Sequence, residues 1–207
     1  MTIFDWIAAS IVIVSFFYIS FVLTVTGWLS ALQKGQAVTL LPERKGLIWP
    51  HWTQIAMIVL GLLICIPFFY YLWIPIFSLF RSTLYLPRTI GLLIYLGGFA
   101  FVLWARRTLG KNWGISTNKQ VKLFADHQLV QSGPYAFVRH PMYFGWWVCL
   151  FGLTILYPVW AVLLLLIFSI ISFIGRARRE ESALGERFGR SWSEYKQRSK
   201  FLIPFIY

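Results

Sequence analysis

The sequence predicts an all-α polytopic membrane protein with about five transmembrane helices, and three observations predict it. Hydrophobic residues make up 58% of the 207 residues and charged residues only 13%, against a usual charged share of about 25%. Mean hydropathy is +0.68. Nineteen Lys/Arg stand against seven Asp/Glu, a formal net charge of +12, and the basic residues flank long uncharged runs. A soluble fold of this size leaves too much surface wet to hide so much apolar area. An ordinary cytosolic globule, a disordered chain and a secreted disulfide scaffold are therefore excluded. Basic residues beside apolar runs point to the anionic face of a membrane rather than to nucleic acid.

The elements follow from the runs. Ile7–Leu32 carries no charge, nor does Trp52–Phe80, nor Thr89–Ala105, which Arg106 and Arg107 close. A helix crosses the hydrocarbon core in about 20 residues, so each run reads as one span. Pro67 and Pro75 should kink the second helix or end it before Phe80. The third run is short but can extend to Leu86 and Leu109. Pro141–Gly175 is too long for one span, at about 50 Å against a core of about 30 Å. Tyr157-Pro158 breaks it near the middle, because the residue before proline avoids the helical region. Met142–Leu156 and Val159–Gly175 then form a short helical hairpin whose second arm continues past Arg176 as a charged helix.

Charge fixes the orientation. With five spans and the N-terminus outside, all the Lys/Arg but Arg81 and Arg88 fall on the inner side. Four spans would send the basic tail outside. The N-terminus is not expected to be a cleaved signal, because Asp5 stands where a basic region should be and the apolar run is too long. Two parts are expected: a membrane half over residues 1–109, with three transmembrane helices, and a second half over 110–207 with the inside loop, the hairpin and the charged helix. Gly97-Gly98 and Gly145 are expected to permit close helix packing.

No ionisable residue lies within a span, which argues against a channel or an ion-coupled transporter. Cys65 and Cys149 sit alone in apolar runs without zinc spacing, so no metal is expected. The polar chemistry concentrates in residues 106–141 and 176–200. The first stretch is too long for a passive connector and carries Trp113, Phe124, Tyr135 and Phe137. His140-Pro141 reads as a helix start, since proline suits the first helical position. The N–H groups of that first turn could receive an anion. Arg139, taken alone, reads as an interfacial anchor. Arg176 and Glu180 are four apart and share a helix face, whereas Glu181 is rotated by about 100° from Glu180 and should not easily use the same pocket. Arg178, Arg179, Arg187 and Arg190 read as a basic surface on anionic lipid. A lone loop histidine such as His127 is ordinarily solvated.

His127-Gln-Leu-Val130, Ser132-Gly-Pro-Tyr135, Arg139-His-Pro-Met-Tyr143, Glu180-Glu181 and the ending Phe188-Gly189, Glu194-Tyr195 and Ile203-Pro-Phe-Ile206 resemble the isoprenylcysteine carboxyl methyltransferases, over roughly residues 105–207. The membrane phospholipid methyltransferases share parts of the pattern. The resemblance implies an integral membrane methyltransferase that uses S-adenosylmethionine and releases S-adenosylhomocysteine. Its cofactor would lie in a pocket at the cytosolic face, and a lipophilic methyl acceptor would enter from the bilayer. Carried over by position, the cofactor residues are Gln120, His127, Gln128, Leu129, Val130, Tyr135, His140, Pro141, Met142, Tyr143 and Glu180. Arg176 would be the catalytic, substrate-binding residue beside the reacting group. Met142 stands where the family often has a small residue.

Carboxyl methylation of an isoprenylcysteine-like substrate is the leading expectation, and N-methylation of a phospholipid headgroup, or methylation of another small lipophile, are its neighbours. An NADPH-dependent reductase of the sterol type, with a similar Trp192…Tyr195…Ile203-Pro204 ending, is a second reading. A non-catalytic scaffold that binds membrane lipid through its basic tail is a third. A multi-pass protein of the bacterial or archaeal inner membrane, or of the endoplasmic reticulum in a eukaryote, would suit the leading one. Its cofactor site and C-terminus would be cytosolic, and no nucleic acid is expected as partner.

Overall fold

The structure is a computed structural model, and it describes residues 3–33, 51–76, 85–112 and 128–204. Five α-helices account for most of them: α1 Ile3–Gln33, α2 His51–Tyr71, α3 Tyr85–Leu109, α4 Pro141–Leu156 and α5 Trp160–Arg198. Short 3-10 turns lie at Gly110–Asn112 and Gly133–Ala136. Among the described residues there is no strand, only two isolated bridges, Pro75 with Val159 and Val138 with Lys200. Of the described helices, α3 and α5 are long and apolar enough to cross a membrane.

The boundaries follow local chemistry. Helix α3 reaches past Leu86 to Tyr85 and takes Pro87 in its first turn, where a missing N–H costs nothing. Pro67 sits inside α2, which ends four residues later at Tyr71. The chain then turns, the Trp73 amide donating to the Tyr70 carbonyl at 3.2 Å, and Ile76 N–H donates to the Pro158 carbonyl at 2.9 Å. Tyr157-Pro158 breaks the hairpin as expected. Ala161 and Trp160 amides there donate to the carbonyls of Leu72 and Ile74, at 3.0 and 3.1 Å. The end of α2 thus cradles the α4–α5 turn.

Helices α3 and α4 pack antiparallel and very closely. A Cβ on Gly152 would stand 2.5 Å from the Tyr95 amide nitrogen and 2.7 Å from the Gly91 carbonyl. A Cβ on Gly98 would stand 2.7 Å from the Cys149 nitrogen, and one on Gly145 would stand 2.6 Å from Val102 Cγ2. Gly91 and Gly98 are seven apart, as are Gly145 and Gly152, so each pair lines one helix face and admits the other backbone. The expectation for Gly98 and Gly145 is met. Gly97 is corrected: it faces open space, because it lies about 100° around the helix from Gly98.

Helix α1 runs parallel to α3. At one end Arg88 pairs with Asp5 and covers the Phe4 ring. Midway, Ser15 Oγ and Tyr95 Oη lie 2.6 Å apart. One turn farther along α1, Ile19 packs into a cluster with Val102, Ala105, Tyr135 and Met142.

Helix α5 continues well past Gly175, as its charge pattern requires, but it is broken at Gly189, whose φ of +49 and ψ of −113 lie outside the helical region. Only glycine takes that conformation without strain. After the break Trp192 comes back against Gly185, with its Cδ1 3.4 Å from where a Cβ would be. Tyr195 Oη donates to the Tyr135 carbonyl at 2.6 Å. The part of α5 after the break therefore returns to the turn that opens α4.

Candidate functional site

Pro141 begins α4, and the side chain of His140, just before it, is buried. The His140 carbonyl accepts from the amides of Tyr143 and Phe144 at 3.2 and 3.3 Å. Those two N–H groups are thus committed, which narrows the anion site expected at this turn to the amide of Met142. His140, Tyr143 and Trp147 lie on one face of α4, opposite the stretch of α5 that carries Phe173, Arg176, Glu180 and Glu181. The Tyr143 ring stacks on Phe173 at 4.9 Å and near His140 at 5.7 Å.

Glu180 is the hub. Its Oε1 accepts from Tyr143 Oη at 2.6 Å and from Arg176 Nε at 3.1 Å. Its Oε2 lies 3.4 Å from His140 Nδ1. Burial works against the charged carboxylate, but the contacts with His140, Tyr143 and Arg176 outweigh it and hold the group below its ordinary range. A carboxylate has about four acceptor positions, so a ligand donor can still be accepted.

Glu181 occupies a parallel layer. Arg139 Nε donates to its Oε1 at 2.5 Å, His140 Nε2 lies 3.6 Å from the same oxygen, and Lys196 Nζ is 3.7 Å from Oε2. Burial opposes this charge too, yet His140 and Arg139 bring the Glu181 carboxyl down to about 2. Burial also disfavours the His140 cation, and Glu180 and Glu181 together overcome it, raising His140 above its ordinary value.

Arg139 is not the interfacial anchor it resembles in the sequence. Its side chain is only 9% exposed. The guanidinium also donates to the Ser199 carbonyl and, at 3.3 Å, to that of Lys196, so it caps the end of α5. Its amide donates to the Lys200 carbonyl at 2.8 Å, and the Lys200 amide donates to the Phe137 carbonyl at 2.9 Å. Phe201 then sits edge-on to the His140 ring at 5.4 Å, and Leu202 is buried beside it with Ala177. Burying two such side chains contributes roughly 1.5–3 kcal/mol each. The tail is thus a strap across the outer side of His140, and Arg139 fastens it. Beyond it lies an open groove of about 480 Å³ lined by Arg139, Glu181, Arg178, Lys196 and Lys200, among others.

The structure brings His140, Pro141, Tyr143, Arg176 and Glu180 together. Met142 and Tyr135 share the adjacent buried cluster, against which Val130 packs. Tyr135 lies within electrostatic reach of Glu180, and burial first, then Tyr195 and Glu180, push its hydroxyl pKa up. Gln128 is exposed, its amide held by Asn112 Oδ1 at 2.9 Å, and Leu129 is half-buried. Gln120 and His127 lie outside the described residues. Sequence reasoning missed three groups: Arg139 as a clasp, Glu181 as its partner, and Trp147. The Trp147 indole N–H is buried without a hydrogen-bond acceptor. Its spacing of four from Tyr143 was the available signal. Among the described residues no group of His, Cys, Asp and Glu could hold a metal ion.

With this geometry in view, the likeness to known proteins acquires a location. The protein-S-isoprenylcysteine O-methyltransferase of Saccharomyces cerevisiae is 36% identical over 120 residues, which are 56% of this chain and 47% of the yeast protein. The Homo sapiens protein of the same name is 33% identical over 119 residues, 56% of this chain and 40% of its own. A solved structure of the eukaryotic intramembrane Ras methyltransferase ICMT (isoprenylcysteine carboxyl methyltransferase) matches with a TM-score of 0.56 and 26% identity, over 77% of this chain and 55% of that one. The chain thus spans about half the length, or less, of the curated relatives it matches. The phospholipid methyltransferase family matches residues 86–191, which run from the start of α3 through the Glu180 hub and past Gly189. The chain belongs to the phospholipid methyltransferase family.

Proposed function

We propose that the chain is an integral membrane methyltransferase that uses S-adenosylmethionine and methylates the carboxylate of an isoprenylcysteine-like lipophile. The observation that carries the reading is the Glu180 hub, where a tyrosine, an arginine and a histidine converge on one carboxylate at the end of the α4–α5 hairpin. S-adenosylmethionine would supply an electrophilic methyl group on a sulfonium. The residues present fit such a group. Glu180 retains acceptor capacity for an ammonium or ribose hydroxyl. The Tyr143 and Phe173 faces suit a cation or a flat base, and the Met142 amide lies at a helix start, where an anion is favoured.

In this reading Gln120, His127, Gln128, Leu129, Val130 and Tyr135 complete the cofactor site, and Arg176 orients the acceptor. An arginine fork suits a carboxylate bidentately. Methyl transfer is an in-line displacement, so orientation is the main task of the protein. A carboxylate nucleophile is ionised at neutral pH and needs no general base. An amine must lose a proton first. His140 is poorly placed to take one, because carboxylate oxygens face both of its ring nitrogens. That observation favours a carboxylate acceptor over a phospholipid amine.

The packing also supports five spans with the N-terminus outside and the site at the cytosolic face. Helix α1 runs parallel to α3, α4 runs antiparallel to it, and the basic residues cluster at the His140 end. The N-terminal three helices, through residue 109, would form the membrane half and the remainder the catalytic half. The testing experiment supplies labelled S-adenosylmethionine to the purified full-length chain with an N-acylated S-farnesylcysteine, a phosphatidylethanolamine vesicle, or neither. Base-labile label on the prenylcysteine is the expected result. Label on the phospholipid amine would move the acceptor class, and stabilisation by NADPH with no transfer would overturn the reading.

A further inference from the structure

The second glutamate of the Glu180-Glu181 pair has no part in the proposed methyl transfer, yet its side chain is the less exposed of the two, 14% against 23%. Arg139 reaches it from the turn before α4, Lys196 reaches it from the end of α5, and His140 lies between it and Glu180. The ring therefore has Glu180 Oε2 at 3.4 Å from Nδ1 and Glu181 Oε1 at 3.6 Å from Nε2. A neutral imidazole carries one N–H and one lone pair. In either tautomer one lone pair would confront a carboxylate oxygen in a buried place, where such repulsion is poorly screened. The imidazolium instead turns an N–H toward each carboxylate; Nε2, 3.6 Å from Glu181 Oε1, is held by charge and makes no hydrogen bond.

We propose that Glu181 is a positioning residue, which acts by fixing His140 as a doubly protonated ring that donates one N–H to Glu180. This deepens the methyltransferase reading, on which its consequence for cofactor binding rests. The groups that face His140 are Glu180 and Glu181 from α5, Tyr143 from α4, Phe201 from the strap, and the neighbouring Arg139. Lys196 and Arg176 act on it through the two carboxylates. With Glu181 charged, Glu180 receives three donors and presents one ordered face to a ligand. Without that charge, Nε2 has no anionic partner and the proton is lost at lower pH, so that Glu180 faces a neutral ring in place of a cation. The effect then reaches the cofactor through the Glu180 hub, although Glu181 touches no ligand.

The experiment is a nitrogen-15 titration of the histidine side chains in the full-length chain, reconstituted in nanodiscs, with His140 assigned by the signal missing in His140→Gln. The unsubstituted protein should show a His140 midpoint above the ordinary histidine value, with both nitrogens protonated below it. In Glu181→Gln the His140 midpoint should fall. S-adenosylhomocysteine affinity in the same variant should weaken by about tenfold as the ring loses its proton, and recover on acidification. Arg139→Lys keeps the Glu181 charge and should leave the midpoint raised, even as it weakens the strap. A neutral His140 at pH 7 in the unsubstituted protein would overturn the proposal without any variant needing to fold. So would a midpoint unmoved by Glu181→Gln. If the cofactor does not bind at all while the titration behaves as stated, the methyltransferase reading fails and the proton placement stands.

Discussion

The α3–α4 interface and the strapped end of α5 hold the chain together by opposite means. The first works by absence: Gly91, Gly98, Gly145 and Gly152 remove side chains so that two backbones touch. The second works by charge: Arg139, His140, Glu180 and Glu181 are buried or partly so and face groups of opposite charge. In a bilayer, lipid tails are as apolar as leucine, so apolar side chains alone do not choose a neighbour and close packing must. At the headgroup level, polar groups are affordable and can be arranged for a ligand. The difference teaches where each kind of mutation should act.

The largest effect is expected at the glycine seam. Gly152→Leu puts atoms within 2.5 Å of the Tyr95 backbone, which cannot move aside as a side chain can. It should prevent recovery of a monodisperse protein, whereas Gly97→Leu, facing open space, should be recovered at normal yield. Equal behaviour of the two would break the assignment of the seam.

Next comes the clasp. Arg139→Ala leaves Glu181 buried without its guanidinium and uncaps the end of α5. Removing one partner of a buried pair costs about 3–5 kcal/mol. Thermal melting in detergent should fall accordingly, and limited proteolysis should begin in the tail near Ser199.

Acid should act on the charged region and spare the seam. Glu181 and Glu180 have carboxyls held below the ordinary value of 4.5, Glu181 at about 2. Their stabilising contribution is fully present above pH 4.5 and is lost as pH falls toward 2. His140 has the opposite sign: its raised value makes its contribution complete below about 6.5 and lost as pH rises through the folded-state value. Stability against pH should therefore decline on both sides, with the acid limb reduced in Glu181→Gln to what Glu180 contributes and the alkaline limb moved to lower pH as His140 loses one of its two carboxylates. An acid limb unchanged in that variant would contradict the assignment.

The smallest effect is expected at Arg190. Its pair with Glu194 is largely exposed, with the arginine side chain 92% accessible. Arg190→Gln should change stability by about 0.5 kcal/mol or less. A larger loss would mean that the final turn of α5 depends on surface charge and not on Arg139.

These contrasts also explain what could be read in the sequence. The uncharged runs, the Tyr157-Pro158 break and the helix start at Pro141 are local matters, and each appears where expected. The Arg176–Glu180 ridge was legible because a spacing of four fixes a shared face. Arg139 and Glu181 were not, because they are 42 residues apart and meet only when the hairpin closes and the tail folds back at Gly189. A rotation of about 100° from Glu180 argued that Glu181 points elsewhere. It does, and it still reaches the far nitrogen of the same histidine. Gly91 and Gly152 were missed because a heptad of glycines across two separated segments has no meaning until the helices are paired. Gln120 and His127 belong to the stretch outside the described residues, and their expected roles rest on the family resemblance.

The most direct measurement is equilibrium binding of S-adenosylhomocysteine to the full-length chain in nanodiscs, for the unsubstituted protein and Glu180→Gln. Saturable binding is expected, weakened by roughly tenfold to a hundredfold when the carboxylate that gathers Tyr143, Arg176 and His140 is lost. Absent binding, or equal affinity in a folded Glu180→Gln variant, would contradict the account.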